Sequence, residues 1–490
     1  MEYSKIFDFE SNKLLELFTL LNTANDVYSI EELSSKLQVD PKTILKYIKK
    51  LGELFELYYL ADQLTISNII RNQFYLKKDN ELVSEQFLIN YLNSLPEIIF
   101  LKSIIEGNKI QTMQFAETLS ISESSLRRRV RKISNWLEHR NLYLKRGTYE
   151  LIGDEAQIRA FILHFYWFVY RGIKNSFLQQ ENEESTLLTN HILHFFQLQV
   201  NDLQKESILR IVQITNWRYQ KGKEINFKEE WYQYITASRL FSKFVEALRH
   251  TESTFLQNMD ELAYVYLTIQ ASFLPYYGKS LQGFTIQEHF LEKTTSYMNT
   301  LCVANNLKQK FWEKEFDFTQ ENLAAFLSFH LYYEMIYGFS FERDQSVPII
   351  KEKYPAFSAK LEAVLLEVVN GNSYLNIIPK SNQFYRYFMI LTSVISPIYY
   401  ERKIVICIMT DFSIEKEHEL GKRLRHFFYG KFNMTVIYAR TSKSIFYANV
   451  ILTTIIHQRS FKNYERPIVL LDTNFSETIF FEIEELIKVT

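Results

Sequence analysis

The chain has 490 residues, too many for one hydrophobic core, so three to five domains are expected. With 47% hydrophobic and 23% charged residues it reads as globular, and only 12 glycines and 8 prolines favour helix over β-rich architectures. A formal net charge of −1 excludes a polycation that binds nucleic acid or membrane with its whole surface; an electrostatic partner has to be met by a local patch.

The opening MEYSKIFDFE is acidic and unlike a signal peptide. The first patterned segment is SIEELSSKLQVDPKTILKYIKKLGELF, 29–55. Ser29 with Glu32 forms a capping box, and Asp40-Pro41 supplies an N-cap followed by proline at the first helical position. Two short helices across a tight turn, the second basic, are the helix-turn-helix outline. Its outward set is Lys42, Lys46, Lys49 and Lys50. LFELYYLADQLTISN behind it is a degenerate version of a wing.

The outline returns 82 residues later. MQFAETLSISESSLRRRVRKI gives a helix from Thr112 to Leu119, a turn at Ser120 to Ser122, and a basic helix. The shift superposes Leu33, Leu37, Val39, Ile44, Ile48 and Leu51 on Phe115, Leu119, Ile121, Leu126, Val130 and Ile133. Ser34 and Ala116 are the small residues at the helix approach. With Leu126 and Val130 inward, Ser124, Arg128, Arg131 and Asn135 turn outward, flanked by Arg127 and Lys132. Charged helix faces are commonly just solvated, but such faces mix signs. Here eight Lys/Arg stand against Glu123 and Glu138 between 123 and 146. Arginine also suits bidentate contact with guanine edges and phosphates. NLYLKRGTYELIGDE then reads as two strands about a Lys145-Arg146-Gly147-Thr148 turn, a wing whose tip adds phosphate contacts. FILHFYWFVY, 161–170, is too short to span a bilayer.

Beyond about 170 the chain is helical, with a weaker repeat at an offset near 116 to 122. SILRIVQITNWRYQKGKEINF (207–227) parallels NLAAFLSFHLYYEMIYGFSF (323–342), with Gly222 against Gly338. ELAYVYLTIQASFLP (261–275) parallels QFYRYFMILTSVISP (383–397), ending on Pro275 and Pro397. The last ninety residues alternate β-branched runs, KIVICIM, MTVIYAR, NVILTTI and PIVLLDT, with helical IEKEHELGKRLRHFFYG and SETIFFEIEELIKV. That alternation implies a small parallel sheet with covering helices. The only cysteines, Cys302 and Cys407, lack a CxxC neighbour, which excludes a disulfide framework and a cysteine zinc site and suits a reducing cytosol.

The order of these parts, with the run LYLKRGTYELIGDEAQIRAFILHFYWFVY (142–170), resembles the Mga/AtxA family of virulence regulators of Gram-positive bacteria. The resemblance implies a mainly α chain: winged helix-turn-helix domains at 1–75 and 76–165, helical bundles like PTS regulation domains at 166–285 and 286–400, and an α/β domain similar to enzyme IIB at 401–490. It implies a cytoplasmic, non-enzymatic regulator that binds double-stranded DNA, assembles as a dimer or higher oligomer, and uses no cofactor or membrane. It further implies tuning by phosphocarrier proteins of the sugar phosphotransferase system, acting on His330 or on His191 and His194. Each histidine could equally be a packed, hydrogen-bonded side chain, and the 191/194 pair lacks further metal ligands nearby. The loop after the first tail strand, IMTDFSIEK, lacks the cysteine and glycine of a phosphotransfer loop, and Cys407 falls inside the strand, so the tail is expected to mediate contacts. No GxSxG, GxxxxGK[ST], HExxH or GxGxxG stands in a supporting context. The alternatives are an RNA-binding antiterminator, which calls for a β-rich module where this chain begins with capped helices, and a non-catalytic interaction protein linked to the phosphotransferase system.

Overall fold

A computed structural model describes residues 2–24, 27–70, 72–171, 183–249, 254–312, 317–339, 346–372, 374–455, 466–471 and 477–489. It divides into two compact units: Met1–Leu301 with Phe318–Phe341, and Cys302–Asp317 with Glu342–Thr490.

The first unit opens with α1 (Phe9–Ala24), β1 (Tyr28–Ser29), α2 (Ile30–Leu37), α3 (Pro41–Leu57) and the hairpin β2 (Leu64–Ile70) and β3 (Gln73–Lys78). It continues through α4 (Glu81–Ser94), α5 (Pro96–Glu106), α6 (Thr112–Thr118), α7 (Glu123–Glu138), β4 (Leu142–Leu144), β5 (Leu151–Gly153) and α8 (Glu155–Tyr170). Local chemistry fixes the turn and the second helix of both pairs in the same way, although the first helix carries a side-chain cap only in α2. The capping box at Ser29 and Glu32 forms, and Asp40 caps α3 through the Thr43 N–H. A cap of this kind contributes about 1 kcal/mol. At the 82-residue offset, Ser122 caps α7 through the Ser125 N–H. Gln38 and Ser120, again 82 apart, both take left-handed backbone at φ 53° and 54°. Both turns close on one pattern, Val39 N–H to Ser34 O at 3.2 Å and Ile121 N–H to Ala116 O at 3.0 Å. The repeat therefore extends from side-chain pattern to backbone conformation.

Behind α7 the wing pairs Leu142 with Gly153, Tyr143 with Ile152 and Leu144 with Leu151. Gly153 is required there, because a Cβ would meet Leu142 Cδ2 at 2.7 Å and Asn141 O at 2.9 Å. The first wing corrects the sequence reading. Residues 54–68 are not a degenerate hairpin: α3 runs on to Leu57, and the hairpin begins at Leu64 and is longer than its partner. It pairs six residues of each strand from Leu64↔Lys78 onward and gains β1 as a third strand. The run Leu-Phe-Glu-Leu continued the helical period, which hid the later strand onset.

Helices α9 (Glu183–Phe195), α10 (Asp202–Gln220), α11 (Arg239–Leu248), α12 (Met259–Phe273), α13 (Lys279–Leu291), α14 (Thr295–Phe311) and α15 (Gln320–Met335) come next. A buried charge network seats α8 on this bundle. Arg159 donates to both Glu261 oxygens at 2.5 and 2.9 Å, and Arg218 donates to both Glu155 oxygens at 2.8 and 2.6 Å. Removing one member of such a set costs about 3–5 kcal/mol, because it leaves the other buried charge without its partner. The matched Gly222 and Gly338 are both left-handed, φ 67° and 78°.

The second unit contains α16 (Ser346–Lys353), α17 (Pro355–Asn370) and α18 (Lys380–Thr392). Here the repeat needs a different register. Gln383 reaches back to the Leu375 and Ile378 carbonyls of a 3-10 turn, as Gln282 does to Leu274 and Pro275. Lys279-Ser280-Leu281-Gln282 thus matches Lys380-Ser381-Asn382-Gln383 at an offset of 101, so 383–397 corresponds to α13 and the residues after it, not to 261–275. Two helices with similar apolar spacing and a shared trailing proline had set the wrong register.

The tail holds β6 (Lys403–Met409), α19 (Ile414–Phe427), β7 (Asn433–Tyr438), α20 (Ser442–Phe446), β8 (Val450–Thr453), β9 (Ile468–Leu470) and α21 (Glu477–Val489). The four strands form one parallel sheet in the order β7-β6-β8-β9, as the alternation implied. Residues 472–473 of the last apolar run and Ser476 of the closing one lie outside the described residues. Cys407 sits within β6, fully buried, and burial pushes its thiol up to about 11. No single helix among the described residues is long and apolar enough to cross a membrane; one bent pair, α4 with α5, passes on length and composition, and most of its apolar side chains lie in the core of the first unit.

Candidate nucleic-acid interface

Helix α7 buries Leu126, Val130, Ile133, Trp136 and Leu137, which leaves the opposite face to solvent. Ser124, Arg127, Arg128, Arg131, Lys132 and Asn135 are placed on that face by the helical spacing, and Arg127, Arg128, Arg131 and Lys132 carry its charge. Arg127 is tied to Glu123 one turn earlier at 2.5 Å, which holds its guanidinium above its ordinary value. Lys132 donates to the Phe7 carbonyl at 3.3 Å. Among the described residues Arg128 and Arg131 have no ion-pair partner. Two solvated guanidiniums one turn apart can donate in pairs to base edges or phosphate oxygens without breaking an internal bond.

Two cations in the same basic run do something else. Arg129 is 14% exposed at its side chain and bridges Asp8, at 2.7 Å, and the fully buried Glu97. Burial works against the Arg129 charge, but the two carboxylates outweigh it. For Asp8, burial raises the carboxyl, but the Ser11 N–H and Arg129 more than compensate and hold it below its usual value. Arg140 packs 4.1 Å from the Trp136 ring and donates to Gly338 O at 3.1 Å. Both roles were hidden by counting charge. The signal was their position, since 129 and 140 stand three residues after Leu126 and Leu137 and lean toward the buried stripe.

Beyond α7, Lys145, Arg146, Gly147 and Thr148 lie at the wing tip. Lys145 lies 3.8 Å from Glu150, while Arg146 has no ion-pair partner among the described residues. The equivalent face of α3 also points to solvent, but its charges are engaged. Lys50 lies 3.0 Å and Lys46 3.7 Å from Glu10, and Lys49 3.6 Å from Glu53; Lys42 alone has no ion-pair partner among the described residues.

The three histidines separate by burial. His191 and His194 are both exposed on α9, whereas His330 is 1% exposed in α15, its Nδ1 2.8 Å from Thr300 Oγ1. No group of three or more metal-ligating side chains occurs among the described residues.

Residues 80–166 match the Mga helix-turn-helix domain. Over 271 residues the chain is 27% identical to the anthrax toxin expression trans-acting positive regulator of Bacillus anthracis, a stretch covering 50% of this chain and 53% of that protein. The chain spans about half the length of the curated relative it matches. Both findings bear out the resemblance to Mga/AtxA-like regulators, and the family match falls on the unit that carries Arg128 and Arg131.

Proposed function

We propose that this chain is a DNA-binding transcriptional regulator of the Mga/AtxA type, cytoplasmic and non-enzymatic, that controls virulence or metabolic genes. The observation that carries the reading is the pair Arg128 and Arg131 on the outer face of α7, neither with an ion-pair partner among the described residues, followed by a wing with Arg146 at its tip. The relative's description as a trans-acting positive regulator supports the same reading. A band shift with duplex DNA and hairpin RNA tests it: duplex is retarded, RNA is not, and Arg128→Ala with Arg131→Ala abolishes specific retardation at unchanged helical content. Retardation of RNA alone would favour the antiterminator.

Regulation by the sugar phosphotransferase system is part of the proposal, with PTS-regulation-like bundles and an enzyme IIB-like tail. Exposure favours His191 and His194 as the residues a phosphocarrier reaches, and His330 requires α15 to open first. Incubation with phosphocarrier components and labelled phosphoenolpyruvate should place an acid-labile label that His191→Ala with His194→Ala removes. A label lost only in His330→Ala would reverse that order. Self-association is proposed through the tail, and sedimentation of the full chain over a range of concentrations should show a dimer or larger species; a monomer throughout contradicts it.

A further inference from the structure

The short segment Phe7 to Glu10 touches both basic helices. The Phe7 carbonyl accepts from Lys132 of α7, Asp8 pairs with Arg129 of α7, and Glu10 pairs with Lys50 and Lys46 of α3. We propose that Glu10 is a built-in competitor for the DNA backbone, holding two lysines of the first recognition helix out of phosphate contact. The proposal rests on the DNA-binding reading and adds its attenuation.

The anchoring of the segment is what makes Glu10 effective. Asp8 has one oxygen on the Ser11 N–H at 2.7 Å and the other on Arg129 at 2.7 Å, and Tyr91 donates to the Ser11 carbonyl at 3.1 Å. The first turn of α1 is thereby fixed on both sides of Glu10, which keeps the base of its side chain beside the two lysines. The superposition makes Lys46 the counterpart of Arg128 and Lys50 that of Lys132. The two lysines thus occupy the positions where α7 presents its own cations. A carboxylate 3.0 and 3.7 Å from them lies within one Debye length of any phosphate they would touch, about 8 Å at physiological ionic strength, and repels it.

Salt dependence reads this directly. Each cation that engages a phosphate contributes about 0.9 to the slope of log affinity against log salt. With a labelled duplex of mixed sequence and the full chain, Glu10→Gln should steepen the slope by about 1.8 for the two released lysines. Between roughly 50 and 200 mM salt the variant then loses about tenfold more affinity than the wild type. Glu16→Gln, which removes the partner of Lys13 on the same helix, should leave the slope unchanged. Lys46→Ala with Lys50→Ala, placed on Glu10→Gln, should return it to the wild-type value. A Glu10→Gln slope equal to that of a DNA-binding wild type overturns the competitor role. A wild type that binds no duplex at any salt overturns the underlying reading instead.

Discussion

Helices α3 and α7 share a turn, a cap and a core pattern, yet they hold their charge differently. At three equivalent pairs of positions, Lys46, Lys49 and Lys50 stand opposite Arg128, Arg131 and Lys132. Each of those α3 lysines faces a carboxylate of its own module, whereas Arg128 and Arg131 have no ion-pair partner among the described residues. The inner flank differs as well: Arg129 is locked to Asp8 and Glu97 where the first helix-turn-helix copy has the buried Tyr47. A duplicated scaffold can thus keep its fold while one copy becomes the contact element and the other a tempered one. Equal net charge on a helix says little until the partners of each cation are known.

The largest difference between the copies should appear in stability. Arg129→Met leaves the fully buried Glu97 without its partner and should cost about 3–5 kcal/mol. Lys50→Met breaks a solvent-exposed pair and should cost less than about 1 kcal/mol. Denaturant midpoints of the two variants at constant slope decide the matter, and equal shifts would erase the distinction drawn between the helices.

A smaller effect sharpens the same contrast. Asp8→Asn weakens both the cap of α1 and the Arg129 pair, at a cost of about 1–2 kcal/mol. Because the folded carboxyl lies below its ordinary value of 3.8, that contribution is present above the unfolded value and lost as pH falls through the folded one. Wild type and Asp8→Asn should therefore differ at neutral pH and converge only as pH falls below 3.8 and through the lowered folded value. A gap that persists in acid would assign Asp8 a role that does not depend on its charge.

Much of this arrangement was legible beforehand, because periodicity and caps are local. The buried stripe of Leu126, Val130, Ile133 and Leu137, the 82-residue repeat and the four tail strands all follow from spacing. The contacts that escaped depended on residues distant in the chain. Arg129 meets Glu97 and Asp8, 32 and 121 positions away, and Lys50 meets Glu10, 40 away. No periodicity reports such partners. His330 shows the same limit: its apolar neighbours were visible, but full burial against Thr300 was set by the packing of another helix.

The most direct test compares the two faces on DNA. Binding of one labelled duplex should be followed for wild type, Arg128→Ala with Arg131→Ala, and Lys46→Ala with Lys50→Ala, at matched salt. The account predicts that the arginine pair costs at least about 100-fold, in line with the loss of two strong polar contacts, and that the lysine pair costs less than about tenfold. A lysine loss as large as the arginine loss, or larger, would contradict the central claim that α7 is the reading helix and α3 the tempered one.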